Sequence, residues 1–215
     1  MLHIFVNKSF FDHILLSKFG DSEKNAVPLK QIRIMQQDDT DIIDQLRDPQ
    51  QCRAAFTEVI KRYSEPLYWQ IRRMVVDHDD ANDLLQNTFL KAWSNIENFR
   101  GDAKLSTWLY KIAINESITF INKEKQRQNL SLDDDDSFLV NSLESDEWFD
   151  GDELKLLLQK AIATLPEKQR LIFNMKYFDE MKYEEMSEIL GTSVGALKAS
   201  YHHAVKKIEL FFTEN

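Results

Sequence analysis

The sequence predicts an all-α protein of two small helical domains joined by an acidic flexible linker, and three observations predict it. Five Gly and four Pro in 215 residues are too few punctuating residues for a turn-rich β protein. Apolar residues recur at steps of three and four in two separate stretches, the period of a helix face rather than of a strand. Between those stretches, Ser131–Glu153 holds ten acidic residues and no base, a composition that solvates rather than packs. A chain of this length exceeds one average small domain, and 43% hydrophobic residues allow packed cores.

The elements follow in order. Residues 1–49 read as an N-terminal extension. Its first part, Met1–Ile34, begins partly amphipathic and turns polar around Pro28; a short helix, a disordered extension and an upstream start ahead of Met35 all fit, the last two together best. The stretch has neither the cationic start nor the continuous apolar core of a secretory signal. No apolar run approaches the roughly 20 residues that span a bilayer, so no membrane insertion and a cytoplasmic location are expected. Cys52 is the single cysteine, which excludes an intramolecular disulfide and a CxxC zinc pair and suits a reducing compartment.

Residues 50–128 form the first domain. Phe56, Val59, Ile60, Tyr63 and Leu67 mark one helical stripe, and Leu84, Leu85, Phe89 and Trp93 another. The linker, 129–153, follows. Its ten acids account for the formal net charge of −9, so the remainder is near neutral and a polyanionic partner is not excluded. The Asp133–Asp136 run lacks the alternating ligands and Gly of an EF-hand and reads as a solvated tether. In 154–215, helices are expected at Leu154–Leu165, at Glu167–Phe178 with Pro166 at its start, and at Tyr183–Leu190. Gly191 then supplies a left-handed turn position and Ser193 an N-cap for the last helix. This is the grammar of a helix-turn-helix.

Along the last helix, Val194, Leu197, Tyr201, Val205 and Ile208 form a stripe that faces Met186, Ile189 and Leu190. The rest of its surface holds Gly195, Ala196, Lys198, Ala199, Ser200, His202, His203, Lys206 and Lys207. Small residues permit close approach, Ser and His reach base edges, and Lys pairs with phosphate, as a helix in a major groove requires. An ordinary solvated face, with lysines drawn to the helix C-terminus by its dipole, is the alternative. His202 and His203 point to different faces, so no metal site is expected there.

The segments "DDANDLLQNTFLKAW", Asp79–Trp93, and "ENFRGDAKLSTWLYKIAINESITFINKEKQR", Glu97–Arg127, resemble the extracytoplasmic-function branch of bacterial RNA polymerase sigma factors. The likeness runs from about Ala54 to Phe212 with the parts in the family's order. It implies a region-two helical bundle at 50–128 and a region-four helix-turn-helix at 154–215. It further implies that Asp80, Asp83 and Gln86 dock on the β′ clamp helices of core RNA polymerase, with the β subunit also contacted. The loop and helix carrying Phe99, Arg100, Gly101, Asp102, Lys104, Asn115, Lys123 and Arg127 would open the promoter −10 element and hold an unstacked base. The polar face of the last helix would read the −35 element.

Local chemistry is compatible with this. Asp80, Asp83 and Gln86 share one polar side of a helix, although a plain amphipathic helix explains the pattern almost as well. Arg100, Lys104, Lys111, Lys123, Lys125 and Arg127 outnumber Asp102, Glu116 and Glu124, as single-strand capture needs. Trp108 and Tyr110 are stacking candidates, although Trp108 falls on the apolar run with Leu105, Leu109 and Ile112. The sequence departs from the family at Ile114 and Thr119, which replace a customary Arg and Asp, so contacts at those two positions do not carry over; Asn87 stands where the family usually has Glu, which retunes the β′ contact, and Ala199 and Ser200 stand where Ser and Arg are common, which shifts the −35 preference.

The expected function is a transcription initiation factor that binds core polymerase and promoter DNA. It is expected to be no enzyme and to use no cofactor, since no phosphate-cradling Gly loop, metal-spaced His cluster or nucleophile elbow is present. Family likeness adds an anti-sigma factor, a membrane-bound one by the same analogy, as a further partner. Two rivals are an operator-binding regulator with a helical sensor and a sigma mimic that sequesters an anti-sigma factor.

Overall fold

A computed structural model describes residues 39–99, 101, 103–127, 143 and 153–214. Residues 1–38, and the expected linker apart from Leu143 and Glu153, lie outside the described residues. Eight α-helices and one 3-10 turn occur among those described: α1 Thr40–Arg47, α2 Cys52–Val75, α3 His78–Ser94, the 3-10 turn Ile96–Asn98, α4 Leu105–Arg127, α5 Glu153–Ala163, α6 Glu167–Tyr177, α7 Tyr183–Leu190 and α8 Val194–Glu214.

Helices α2, α3 and α4 pack against one another and α1 lies on α2. Of the α2 stripe expected from periodicity, Phe56, Val59, Tyr63 and Leu67 are buried and Ile60 is exposed, and the buried face continues through Ile71 and Met74. Pro66 lies inside α2, where it removes a backbone donor. Burial of the stripe on both sides of it holds the helix together despite that loss. Helix α3 is started by Asp77, whose carboxylate accepts from the Asp79 and Asp80 amides at 2.8 and 2.9 Å.

Helix α1 corrects one expectation, because it falls within the segment read as an extension. The Asp39 carboxylate just before it accepts from the Tyr63 hydroxyl and, at 2.8 Å, from the Arg62 guanidinium. Ile42 and Leu46 are buried in the core. Residues 39–47 are therefore part of the folded bundle, held by partners on α2 that no local pattern announces.

In the second group, α8 packs on α5, α6 and α7. The expected helices appear within one or two residues of their predicted ends, and Tyr183–Leu190 matches at both. Gly191 has φ +61°, and the Ser193 hydroxyl accepts from the Ala196 amide at 3.3 Å, so the turn and the N-cap form as the sequence requires. Phe173 stacks on Tyr177 and Tyr201, ring centroids 5.1 and 5.8 Å apart. The two groups also touch: α7 lies on α4 and α6 on α2, and one apolar core runs through both.

Candidate nucleic-acid interface

Of the expected α8 stripe, Leu197, Tyr201, Val205 and Ile208 are buried, as their spacing predicts, and Val194 at the start of the helix is half-buried. This turns Gly195, Ala196, Lys198, Ala199, His202, His203, Lys206 and Lys207 to solvent, with Ser200 half-buried. Helix α8 runs on to Glu214 and has no basic residue in its last turn. Lys206 and Lys207 thus sit well inside the helix, where the dipole, which acts over the terminal turn, does not account for them. Lys198 Nζ lies 5.6 Å from the centre of the Tyr183 ring, a cation–π contact from α7 that steadies the middle of the face. The His202 and His203 rings are 6.2 Å apart and tilted.

The α4 face is built differently. Phe99, expected among the contacting residues, is turned inward and packs on Trp108 at 4.9 Å between ring centres. The pair anchors the loop that precedes α4 rather than offering a free ring. Arg100 and Asp102 lie outside the described residues. Gly101 is exposed with φ +78°, and a Cβ there would come 3.0 Å from Arg47 Nη2, which places α1 behind the loop. Lys104, Lys111, Asn115, Lys123 and Arg127 are exposed. Lys104 is paired with Glu185 of α7 at 3.0 Å and Arg127 with Glu124 at 2.7 Å.

Two sequence expectations fail on α4. Tyr110 is 1% exposed and cannot stack on a base. Lys125, counted with the cations, is buried. Both lie on the inward stripe defined by Ala113, Ser117 and Ile121, so steps of three and four, had they been followed through the polar residues, mark them. Across from α4, Ile189 and Leu190 of α7 and Gly191 just after it face Lys111, Ile114, Asn115 and Ile118, lining a groove of about 250 Å³.

A third surface is acidic. Asp83, Gln86 and Asn87 on α3 are exposed and Asp80 is half-buried. Burial first, then Asp77, Glu124, Asp83 and Asp79, hold the Asp80 carboxyl above the usual carboxylate range. Trp93, expected on the apolar side, covers Phe56 at 4.9 Å but remains 40% exposed, and Leu90 is 57% exposed. These two continue the Gln86 face by one and two turns as an apolar extension that the sequence pattern hid within a hydrophobic run. No helix among the described residues is long and apolar enough to cross a membrane.

Comparisons with known proteins agree with this layout. The family description "Sigma-70 region 2" matches residues 59–127 and "Sigma-70, region 4" matches 155–208. The chain is similar to the ECF RNA polymerase sigma factor SigW of Bacillus subtilis, 32% identical over 69% of this chain and 83% of that protein. It is similar to RNA polymerase sigma factor SigV of the same organism, 26% identical over 79% and 98% of the two chains. The ECF RNA polymerase sigma-E factor of Escherichia coli is 27% identical over 72% and 85%. Among solved structures, the sigma factor RpoE in complex with the anti-sigma factor NepR from Bartonella quintana superposes with TM-score 0.57 at 20% identity, covering 74% of this chain and 96% of that one. CnrH in complex with the cytosolic domain of CnrY gives 0.56 at 17%, covering 89% and 99%.

Proposed function

The chain belongs to the sigma-70 family of RNA polymerase sigma factors, in its extracytoplasmic-function group, and we propose that it divides the work of promoter-directed transcription initiation among three faces. The α3 face of Asp80, Asp83 and Gln86, extended by Leu90 and Trp93, docks on the β′ clamp helices of core polymerase. The loop at Gly101 and the α4 residues Lys104, Asn115, Lys123 and Arg127 engage the −10 element and hold an exposed base. Phe99 acts there as the inward anchor of the loop. The α8 face from Gly195 to Lys207 enters the major groove at the −35 element, with Lys198, Lys206 and Lys207 on phosphate.

The observation that carries this reading is the α8 face: a capped helix that exposes Gly195, Ala196, Ala199 and the mid-helix lysines opposite the buried Leu197, Tyr201, Val205 and Ile208. The protein works in the cytoplasm as an initiation factor without catalysis of its own, and an anti-sigma factor is the partner class that controls it. Run-off transcription with purified core polymerase on a genomic promoter library tests the reading. Transcripts from a discrete promoter set are expected. An operator-binding regulator would need another sigma factor present, and a sequestering mimic would give no transcript.

A further inference from the structure

We propose that Arg47, on α1 and outside the matched residues 59–127, is a further nucleic-acid contact of the loop at Gly101, placed to hold a phosphate of the single strand that the loop engages. The proposal rests on the reading of this loop as part of the −10 face and adds to it a cation from a different helix.

Helix α1 meets the loop with one face. A Cβ on Gly101 would lie 3.0 Å from Arg47 Nη2 and 3.7 Å from Ile43 Cγ2, two side chains one helical turn apart. Ile42 and Leu46, on the adjoining face, are buried in the core. The loop backbone therefore passes directly over Arg47, with Ile43 beside it as an apolar support. A glycine suits position 101 for two reasons: its φ of +78°, and a guanidinium close to where a side chain would begin.

Both ends of α1 are tied down. At its start, the Asp39 carboxylate accepts from the Tyr63 hydroxyl and the Arg62 guanidinium of α2. At its end, the Asp48 carboxylate accepts from the Gln50 backbone amide at 2.9 Å and the Gln51 side-chain amide at 2.6 Å, and the Cys52 amide donates to the Asp48 carbonyl at 2.8 Å. These bonds close the turn into α2 and occupy the acid next to Arg47. A contact residue on a helix held in this way keeps its place while the loop adjusts.

The Arg47 side chain is 55% exposed. Its pair with Asp44 spans 3.7 Å, longer than a hydrogen bond, and Asp44 is 71% exposed, so salt screens the pair and a phosphate displaces it readily. A cation in the last turn of α1 also suits the helix dipole, but a lysine or arginine anywhere around that turn would serve. The dipole does not call for a guanidinium against the loop backbone. Phosphate recognition does, because a planar group with its donors in a fixed fork can lean one edge on the loop and turn another to a strand. Lys104, three residues after Gly101, is already paired with Glu185. Arg47 thus brings charge to the loop from outside α4.

The test is a fluorescence-anisotropy titration of the full chain with a fluorescein-labelled single-stranded DNA pool of random sequence over a salt series, beside a duplex pool. Arg47→Gln should reduce the slope of log K against log salt by about 0.7, the value of one phosphate on a single strand, and weaken single-strand binding roughly fivefold at about 0.1 M salt. Duplex binding should hold, and Arg47→Lys, which keeps the charge, should retain the wild-type slope. An unchanged slope in Arg47→Gln overturns the proposal, since a residue that only props the loop alters affinity without releasing counterions. Equal losses on duplex and single strand overturn it too, because net charge alone then explains them. Phenylglyoxal modification of arginines, read by mass spectrometry, gives a second measurement on the wild-type chain. The single-stranded pool should protect Arg47 and the duplex should not; no protection overturns the contact. The functional reading is judged separately: a wild-type chain that gives no run-off transcript fails that reading, while the strand contact at Arg47 stands or falls on slope and protection.

Discussion

On α8 the residues facing away from the core are exposed apart from the half-buried Ser200, Lys198 lies over the Tyr183 ring, and Lys206 and Lys207 carry no ion pair among the described residues. On α4 the cations are divided: Lys104 is paired with Glu185 and Arg127 with Glu124, Lys125 is turned inside, and Lys111 and Lys123 are exposed. Both faces carry small, polar and basic residues suited to nucleic acid. One is presented at all times, and the other is screened by its own partners and by α7. On the proposed assignment of the faces, duplex contact through α8 needs no rearrangement, whereas strand capture through α4 meets α7. This ordering suits a factor that finds a promoter as duplex and melts it afterwards.

The largest effect that separates the two faces is expected at the root of α8. Leu197 is wholly buried beneath the basic face, and Leu197→Ala should cost about 2–5 kcal/mol in denaturant unfolding of the second group. Duplex −35 binding should fall with it. Binding of single-stranded −10 DNA should hold or improve, since a loosened second group covers α4 less. Equal loss at both elements would mean that the faces work as one surface.

Next comes the double substitution Lys206→Ala and Lys207→Ala. Affinity for duplex should drop for all sequences alike, and the slope of log K against log salt should shrink by up to about two phosphate contacts. Lys104→Ala should do far less in the free protein, because its charge is spent on Glu185. A sequence-dependent loss at Lys206 and Lys207 would assign them to base edges instead.

Gly101→Ala sharpens the contrast within the loop. The φ of +78° leaves an alanine strained by roughly 1–2 kcal/mol, while the 3.0 Å approach to Arg47 Nη2 can relax because that group ends a flexible side chain. Thermal unfolding should report the loss, and −10 preference should broaden as the loop moves. Unchanged stability would mean that the loop already samples other conformations.

What the sequence made legible follows from locality. Helix α7 and its Gly191 and Ser193 turn were readable because caps and left-handed glycines act within a few residues, and the α8 stripe because its apolar residues sit at steps of three and four. Tyr110 and Lys125 were misjudged because chemical type was given more weight than spacing: each lies on the inward stripe of α4. Helix α1 and the buried ion pair of Arg73 on α2 with Asp179 after α6 were not readable at all. Their stabilising partners lie 23 or more residues away, and nothing near Asp39 or Asp179 distinguishes a buried acid from a solvated one. The three candidate faces thus follow from pattern and family likeness, while the relation between the faces needs tertiary structure.

The smallest expected effect is at Gly195, the counterpart of Gly101 on the open face. A Cβ at Gly195 meets nothing within 4 Å, and no positive φ restrains the position. Gly195→Ala should therefore stabilise the first turn of α8 by up to about 1 kcal/mol, since alanine gives up less backbone freedom on entering a helix. The same empty space is what close approach to a major groove uses, so the added methyl should weaken −35 duplex binding while leaving single-strand binding through α4 untouched. Unfolding and binding must be read on the same preparation, because the two effects have opposite signs. A gain in stability with no loss of duplex affinity would show that the groove is approached further along α8, near Ser200 and His203, and would move the reading end of the helix by a turn or more.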